Sequence, residues 1–123
     1  MNRSSNPVKH YASAIYDLGV DLGTQITHTP KQTSIIPDNA IITDMVIETL
    51  TVFAGGANTL VVNAGGVAIS AATSIANRSV TVPYTTVLPK KATSASAITV
   101  TVGAANITSG KCNITVGYFM SGE

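Results

Sequence analysis

The chain has 123 residues, a formal net charge of +1 and a charged fraction of 11%. Its single cysteine excludes an internal disulfide. Its seven Lys and Arg residues are spread out, with only Lys90 and Lys91 adjacent, so no basic face is concentrated enough to displace phosphate counterions from a nucleic acid.

The opening stretch, MNRSSNPVKHYASAIYDLG, lacks the apolar run of a secretory signal. No stretch approaches the roughly 20 apolar residues of a membrane span. The length suits one domain with one core. With no Trp and 5% aromatic residues, that core must be filled by β-branched side chains and Ala. Ordinary soluble domains carry about 25% charged residues. A surface this short of charge, and rich in Thr, Ser, Asn and Ala, points to burial against neighbouring subunits or a very stable assembly, the alternative being a neutral Thr-rich β-protein that stays monomeric. Four Asn-x-Ser/Thr triplets, starting at Asn2, Asn77, Asn106 and Asn113, are accounted for by that composition.

Residues 1–9 are polar, with Pro7, and read as an extended arm that is flexible or orders against a partner. Residues 10–123 are expected to form the β-sandwich domain. From His10 to Leu18 the chain alternates, with Tyr11, Ser13, Ile15 and Asp17 on one face and Ala12, Ala14, Tyr16 and Leu18 on the other. That is a strand pattern, with an edge position open. Val20–Ile26 either continues this strand after Gly19 or forms a short second one. Thr27–Gln32 reads as a loop around Pro30, and Pro37-Asp38-Asn39 as a turn, because Pro presets φ and Asp and Asn tolerate the second corner.

Ala40–Val82 is the organising stretch: a long β-branched run, a break at Gly55–Gly56, a second run, a break at Gly65–Gly66 and a third run. Each Gly pair sits where a tight hairpin needs positive φ. Ser70–Arg78 is ambiguous between a helical turn and a loop. Ser79–Val82 and Tyr84–Leu88 read as short extended pieces closed by Pro83 and Pro89, and Lys90–Ser94 as a polar turn. Ala97–Val102 points Ile98, Val100 and Val102 inward and Thr99 and Thr101 outward. After a loop over Gly103–Lys111, Cys112–Met120 places Ile114, Val116, Tyr118 and Met120 on one face. These last two strands read as a hairpin. About eight short strands without a long helix predict an all-β chain, a single-domain antiparallel β-sandwich or jelly roll with an extended N-terminal arm.

No constellation of residues carries catalysis. His10 and His28 fall in no metal-ligand spacing, and His28 reads as a solvated or interface residue in a loop. Asp44 and Glu48 share the parity of Val46, Leu50 and Val52 on the long strand and read as a solvated or interface-facing stripe rather than a glycosidase pair. Asp17 and Asp21 lack EF-hand spacing. No Ser lies in a Gly-x-Ser-x-Gly elbow, and AGGAN and NAGGV lack the Gly-Lys-Ser/Thr ending of a phosphate loop. Cys112 reads as a small apolar filler on a strand. A non-enzymatic protein without catalytic residues, cofactor or metal is expected.

The order of features is a Tyr-Asp-Leu-Gly strand at Tyr16–Gly19 and Ile-Pro-Asp-Asn-Ala-Ile-Ile-Thr-Asp over Ile36–Asp44. Gly-Gly-Ala-Asn-Thr-Leu over Gly55–Leu60, Gly65-Gly66-Val67 and a closing Gly117-Tyr118-Phe119 follow. This series resembles the small β-rich virion proteins of tailed bacteriophages, in particular head decoration or cement proteins. The resemblance implies a capsid-surface unit, made in the host cytoplasm and trimeric, that binds at junctions between major capsid proteins and stabilises the head. It carries no functional residue over individually. Partners are then copies of itself and the major capsid protein, with neither nucleic acid nor membrane. Tyr11, Tyr16, Ile35 and Ile36 are the candidate contact residues, since exposed aromatic and aliphatic side chains anchor interfaces. The alternatives are a tail, fibre or connector component, or a receptor- or carbohydrate-binding β-sandwich.

Overall fold

In a computed structural model, which describes residues 8–55, 59–70, 73–74, 81–82 and 87–120, the chain is all-β and its strands pair antiparallel throughout. The strands are β1 (His10–Asp17), β2 (Thr27–His28), β3 (Gln32–Thr33), β4 (Ile35–Ile36), β5 (Ala40–Ala54), β6 (Thr59–Ala64) and β7 (Val67–Ala68). After them come β8 (Thr73–Ser74), β9 (Thr81–Val82), β10 (Lys90–Lys91), β11 (Ser96–Ala97), β12 (Thr99–Gly103) and β13 (Ser109–Met120). Two of these are long rather than short: β5 has 15 residues and β13 has 12.

One large sheet runs β10-β5-β13-β1-β3, with β9 also on β5. The second runs β2-β12-β6-β7, with β8 also on β6, and β4 and β11 form a separate two-stranded ladder. The two larger sheets enclose a core that matches the alternation in the sequence. Ala12, Ala14, Tyr16, Ile47, Ile114 and Val116 come from the first sheet, and Leu60, Val62, Val100 and Val102 from the second, all buried. Ala at positions 12 and 14 leaves room for the large rings: Tyr16 stacks on Phe53 with centroids 6.3 Å apart.

The last two strands do not form a hairpin. β12 lies between β2 and β6, and β13 lies between β1 and β5 in the other sheet. Alternation states that a strand has one buried face, and says nothing about which neighbour it pairs with. Both inward faces here meet the same core from opposite sides. The link crosses between the sheets, with Ala104 at φ 67 and Ile107 buried beneath it. Similarly, Gly55 (φ 123) ends β5 but closes no hairpin with β6, which belongs to the second sheet. The Gly65–Gly66 pair does close one, β6 to β7, with both glycines at positive φ (61 and 82) as a two-residue turn requires.

Three smaller expectations also shift. Val20–Ile26 is a turn-rich loop and not a strand, Lys90–Lys91 pairs with Ile41 and Ile42 of β5 instead of lying in a turn, and β13 begins at Ser109. β1 lies inside the large sheet, though β3 covers it only at Ala14 and Ile15. Residues 71–72 and 75–78 of the ambiguous Ser70–Arg78 stretch, residues 79–80 and 83–86, and residues 1–7 of the expected arm lie outside the described residues.

Candidate assembly interface

Both histidines and Asp21 are engaged in structure. His28 is buried on β2, not solvated, with its ring 6.4 Å from that of Tyr16 and its Nε2 2.7 Å from the Thr24 carbonyl. His10 stacks on Tyr118 with centroids 5.3 Å apart. The buried Asp21 carboxylate accepts hydrogen bonds from the backbone amides of Asp17 (3.0 Å) and Lys31 (2.9 Å), so its function is to close a loop. Among the described residues no cluster of three His, Cys, Asp or Glu could hold a metal ion. A shallow hollow beside β1 and β3 is lined by Ser13, Ala14, Ile15, Gln32, Thr33 and Ser34, none of which can carry acid–base chemistry at neutral pH.

Asp44 and Glu48 do not face each other across a cleft. Both point outward from β5 in one exposed row with Val46, Leu50 and Val52. Asp44 forms an ion pair with Lys9, whose Nζ also lies 2.6 Å from Thr43 Oγ1 and 4.9 Å from the centre of the Phe119 ring. The hydrogen bond from Lys9 holds the Asp44 carboxyl below its ordinary range, with Thr43 assisting. Local sequence builds this seat. The register between β13 and β5 slips at Gly117/Tyr118, leaving Thr43 as a bulged residue, and a Cβ at Gly117 would lie 2.7 Å from Lys9 Cε. Lys9, the last residue of the expected arm, is therefore fixed to the large sheet.

The four candidate contact residues separate cleanly. Tyr16 and Ile36 are 0% exposed and belong to the core, so neither offers a surface to a partner, whereas Tyr11 (66%) and Ile35 (59%) stand out into solvent. The pairs Tyr11/Tyr16 and Ile35/Ile36 differ in strand parity, which decides their side. Burial pushes the Tyr16 phenol well above its ordinary range, with Asp21 and Cys112 adding to the effect, so the hydroxyl stays protonated and donates to the Leu22 carbonyl at 2.7 Å. Burial also pushes the Cys112 thiol up to about 12, as befits a filler.

Sequence reasoning missed the segment between β1 and β2. It carries Val20, Leu22 and Ile26, each more than half exposed, on a backbone held at many points. The amides of Val20 and Asp21 donate to the Asp17 carbonyl, and that of Gly19 to Asp17 Oδ1. The Ile107 amide donates to the Gly23 carbonyl at 2.7 Å, and the Val102 amide to that of Ile26 at 3.1 Å. Apolar residues at alternate positions gave the strand signal. The glycines at 19 and 23, flanking Asp21, were the signal for a closed loop.

No family model matches the chain, and no curated protein matches it. Solved structures do. A chain of the cyanophage Pam1 capsid asymmetric unit superposes with a TM-score of 0.69 at 20% identity, over 98% of this chain and 90% of that one. A chain of the acidic stable capsid structure of Helicobacter pylori bacteriophage KHP30 superposes with a TM-score of 0.54 at 17% identity, over 92% and 88%. At these identities the likeness is one of fold. The β-sandwich described above is a fold found, over nearly its whole length, in phage capsids.

Proposed function

We propose that the chain is a non-enzymatic structural protein of a phage virion, a decoration or cement protein. In this role it binds on the capsid surface at junctions between major capsid proteins and stabilises the head as a homotrimer. The observation that carries this reading is the end-to-end superposition on a chain of the Pam1 capsid. The physical character of the surface supports it. With a charged fraction of 11% and apolar side chains in rows on the outer face of β5, the molecule has surfaces that water solvates poorly and that neighbouring subunits would cover. Tyr11 and Ile35 are the aromatic and aliphatic anchors available to such a partner.

The test is binding to particles. Purified full-length protein is mixed with phage heads that lack it, the heads are pelleted and imaged, and their survival of heating is compared with that of bare heads. Saturable binding at capsomer junctions, with heads that rupture at a higher temperature, is the expected result. Protein that stays in the supernatant, or density confined to the tail, would overturn the cement role.

A further inference from the structure

We propose that the open edge of β1 is a strand-addition site, and that its occupant is the segment before Val8, residues 1–7, of the next copy. This rests on the self-association in the proposed function and names the main-chain contact that makes it.

The first observation is an edge that the chain itself vacates. β13 pairs with β1 along its whole length, from His10 opposite Tyr118 to Asp17 opposite Lys111. On the other side β3 meets only Ala14 and Ile15, and the Ser34 amide adds a bond to the Ser13 carbonyl. Beyond Ser34 the chain turns away, because Ile35 and Ile36 pair with β11 in the separate ladder. Ser13 and Asp17 direct their backbone bonds away from β13, to the Ser34 amide and the Asp21 carboxylate. Backbone groups on a strand alternate between its two neighbours, so Tyr11, of the same parity, turns its amide and carbonyl to the vacated side. Among the described residues neither group has a hydrogen-bond partner.

The second observation is that this edge has no guard. Natural sheets protect an open edge with a lysine, a proline or a bulge. The β1–β13 register is unbroken, and β1 contains no Pro. Lys9, two residues before Tyr11, is tied to Asp44 and Thr43 and lies over the Phe119 ring. Apolar side chains flank the edge instead: Val8 and Tyr11 are well exposed, and so is Ile35, which follows Ser34. An extended strand is the shape that meets such main-chain donors and acceptors, with Tyr11 and Ile35 packing on it.

Sequence selects the occupant. Residues 1–7, Met-Asn-Arg-Ser-Ser-Asn-Pro, lead into Lys9, which is fixed at the start of this same edge. Asn2 to Asn6 include no apolar side chain to bury, so main-chain pairing is the contact open to them. Seven extended residues reach about 23 Å, more than the roughly 16 Å of open edge from Val8 to Ala12. Pro7 keeps the segment off its own edge. A two-residue hairpin turn over Asn6 and Pro7 needs positive φ at Pro7, or at Asn6 a conformation suited to glycine. Proline cannot supply the first, and it holds the residue before it in extended geometry. A wider loop takes Ser5 and Val8 out of the pairing. The next copy offers an identical edge with no turn to make, and such contacts repeated head to tail close a ring.

The experiment measures mass by light scattering across a dilution series for the full chain, a deletion of residues 2–6, Tyr11→Pro and Tyr11→Thr. Tyr11→Pro removes the edge amide, which the β13 ladder does not use. The deletion leaves β1 to β13 intact and decides the matter even where Tyr11→Pro does not fold, which circular dichroism checks. The deletion is expected to raise the dissociation constant about a hundredfold, and Tyr11→Pro about tenfold or more. Tyr11→Thr keeps the amide and is expected to cost less than Tyr11→Pro. Residue-resolved hydrogen exchange should find the Tyr11 amide slowed about a hundredfold in the wild-type assembly and not in the deletion variant. A deletion variant that assembles as well as wild type, or an assembly in which the Tyr11 amide exchanges freely, would overturn this contact and leave the proposed homotrimer standing. If that deletion variant also fails to bind phage heads, the segment belongs to the major capsid protein, and the contact is overturned likewise. Equal losses from Tyr11→Thr and Tyr11→Pro would overturn pairing through the main chain. A monomeric wild type would overturn both this contact and self-association in solution.

Discussion

Thr49 lies in the core layer of β5 opposite Cys112, and its hydroxyl has no hydrogen-bond partner. A buried hydroxyl that leaves water without a replacement bond is a net cost, and a methyl of similar shape removes it. Thr49→Val is expected to stabilise the fold by about 1 kcal/mol, read as a higher urea midpoint with an unchanged slope. An unchanged or lower midpoint would show that the hydroxyl finds a partner in solution. The contrast with Tyr16 and Asp21 is one of satisfaction. Those polar groups are also buried, but each has backbone partners: the Tyr16 hydroxyl donates to the Leu22 carbonyl, and the Asp21 carboxylate accepts from the amides of Asp17 and Lys31.

At the scale of elements, β5 and β13 are the spine of the large sheet, and their register breaks explain what it presents. Each slip turns a side chain that strict alternation would bury toward solvent, or the reverse. One slip makes the seat for Lys9, and at the one between Lys111 and Cys112 the alternation breaks so that Thr51 is exposed between Leu50 and Val52. Gly110 permits the bend beside these slips. Its φ is 130, and a Cβ there would meet the Phe53 ring and its Cα. Gly110→Ala should therefore cost about 2–3 kcal/mol, within the range set by strained backbone and overpacking. Equilibrium denaturation of the variant provides the measurement. A loss below about 0.5 kcal/mol would mean that the strand can relax away from Phe53.

For the whole molecule, the relevant quantity is how little charge its surface holds. If apolar packing holds the proposed assembly together, its mass should not change when salt is raised from about 0.1 M to about 1 M, although screening shortens from about 10 Å to about 3 Å. Dissociation over that range would assign the contact to ion pairs instead. High salt should if anything favour association, since excluded salts strengthen apolar burial.

Period-two alternation alone determined that this chain is a β-sandwich with Ile98, Val100, Ile114 and Val116 inside, because side chains on a strand alternate faces whatever the strand pairs with. Turn chemistry likewise determined the Gly65–Gly66 hairpin and the bend at Asn39, where φ is 66. Strand partnership was decided only in three dimensions. Hydrogen bonds between strands involve backbone common to all residues, so nothing in AITVTV or CNITVGYFM states that the two lie in opposite sheets. The same holds for Tyr16 and Ile36 as core residues, His28 as a buried brace and Leu22 as an exposed tip. An apolar or aromatic side chain reads alike in sequence wherever it lies, and its side is fixed by bulges, by loop closure and by the sheet that happens to cover it.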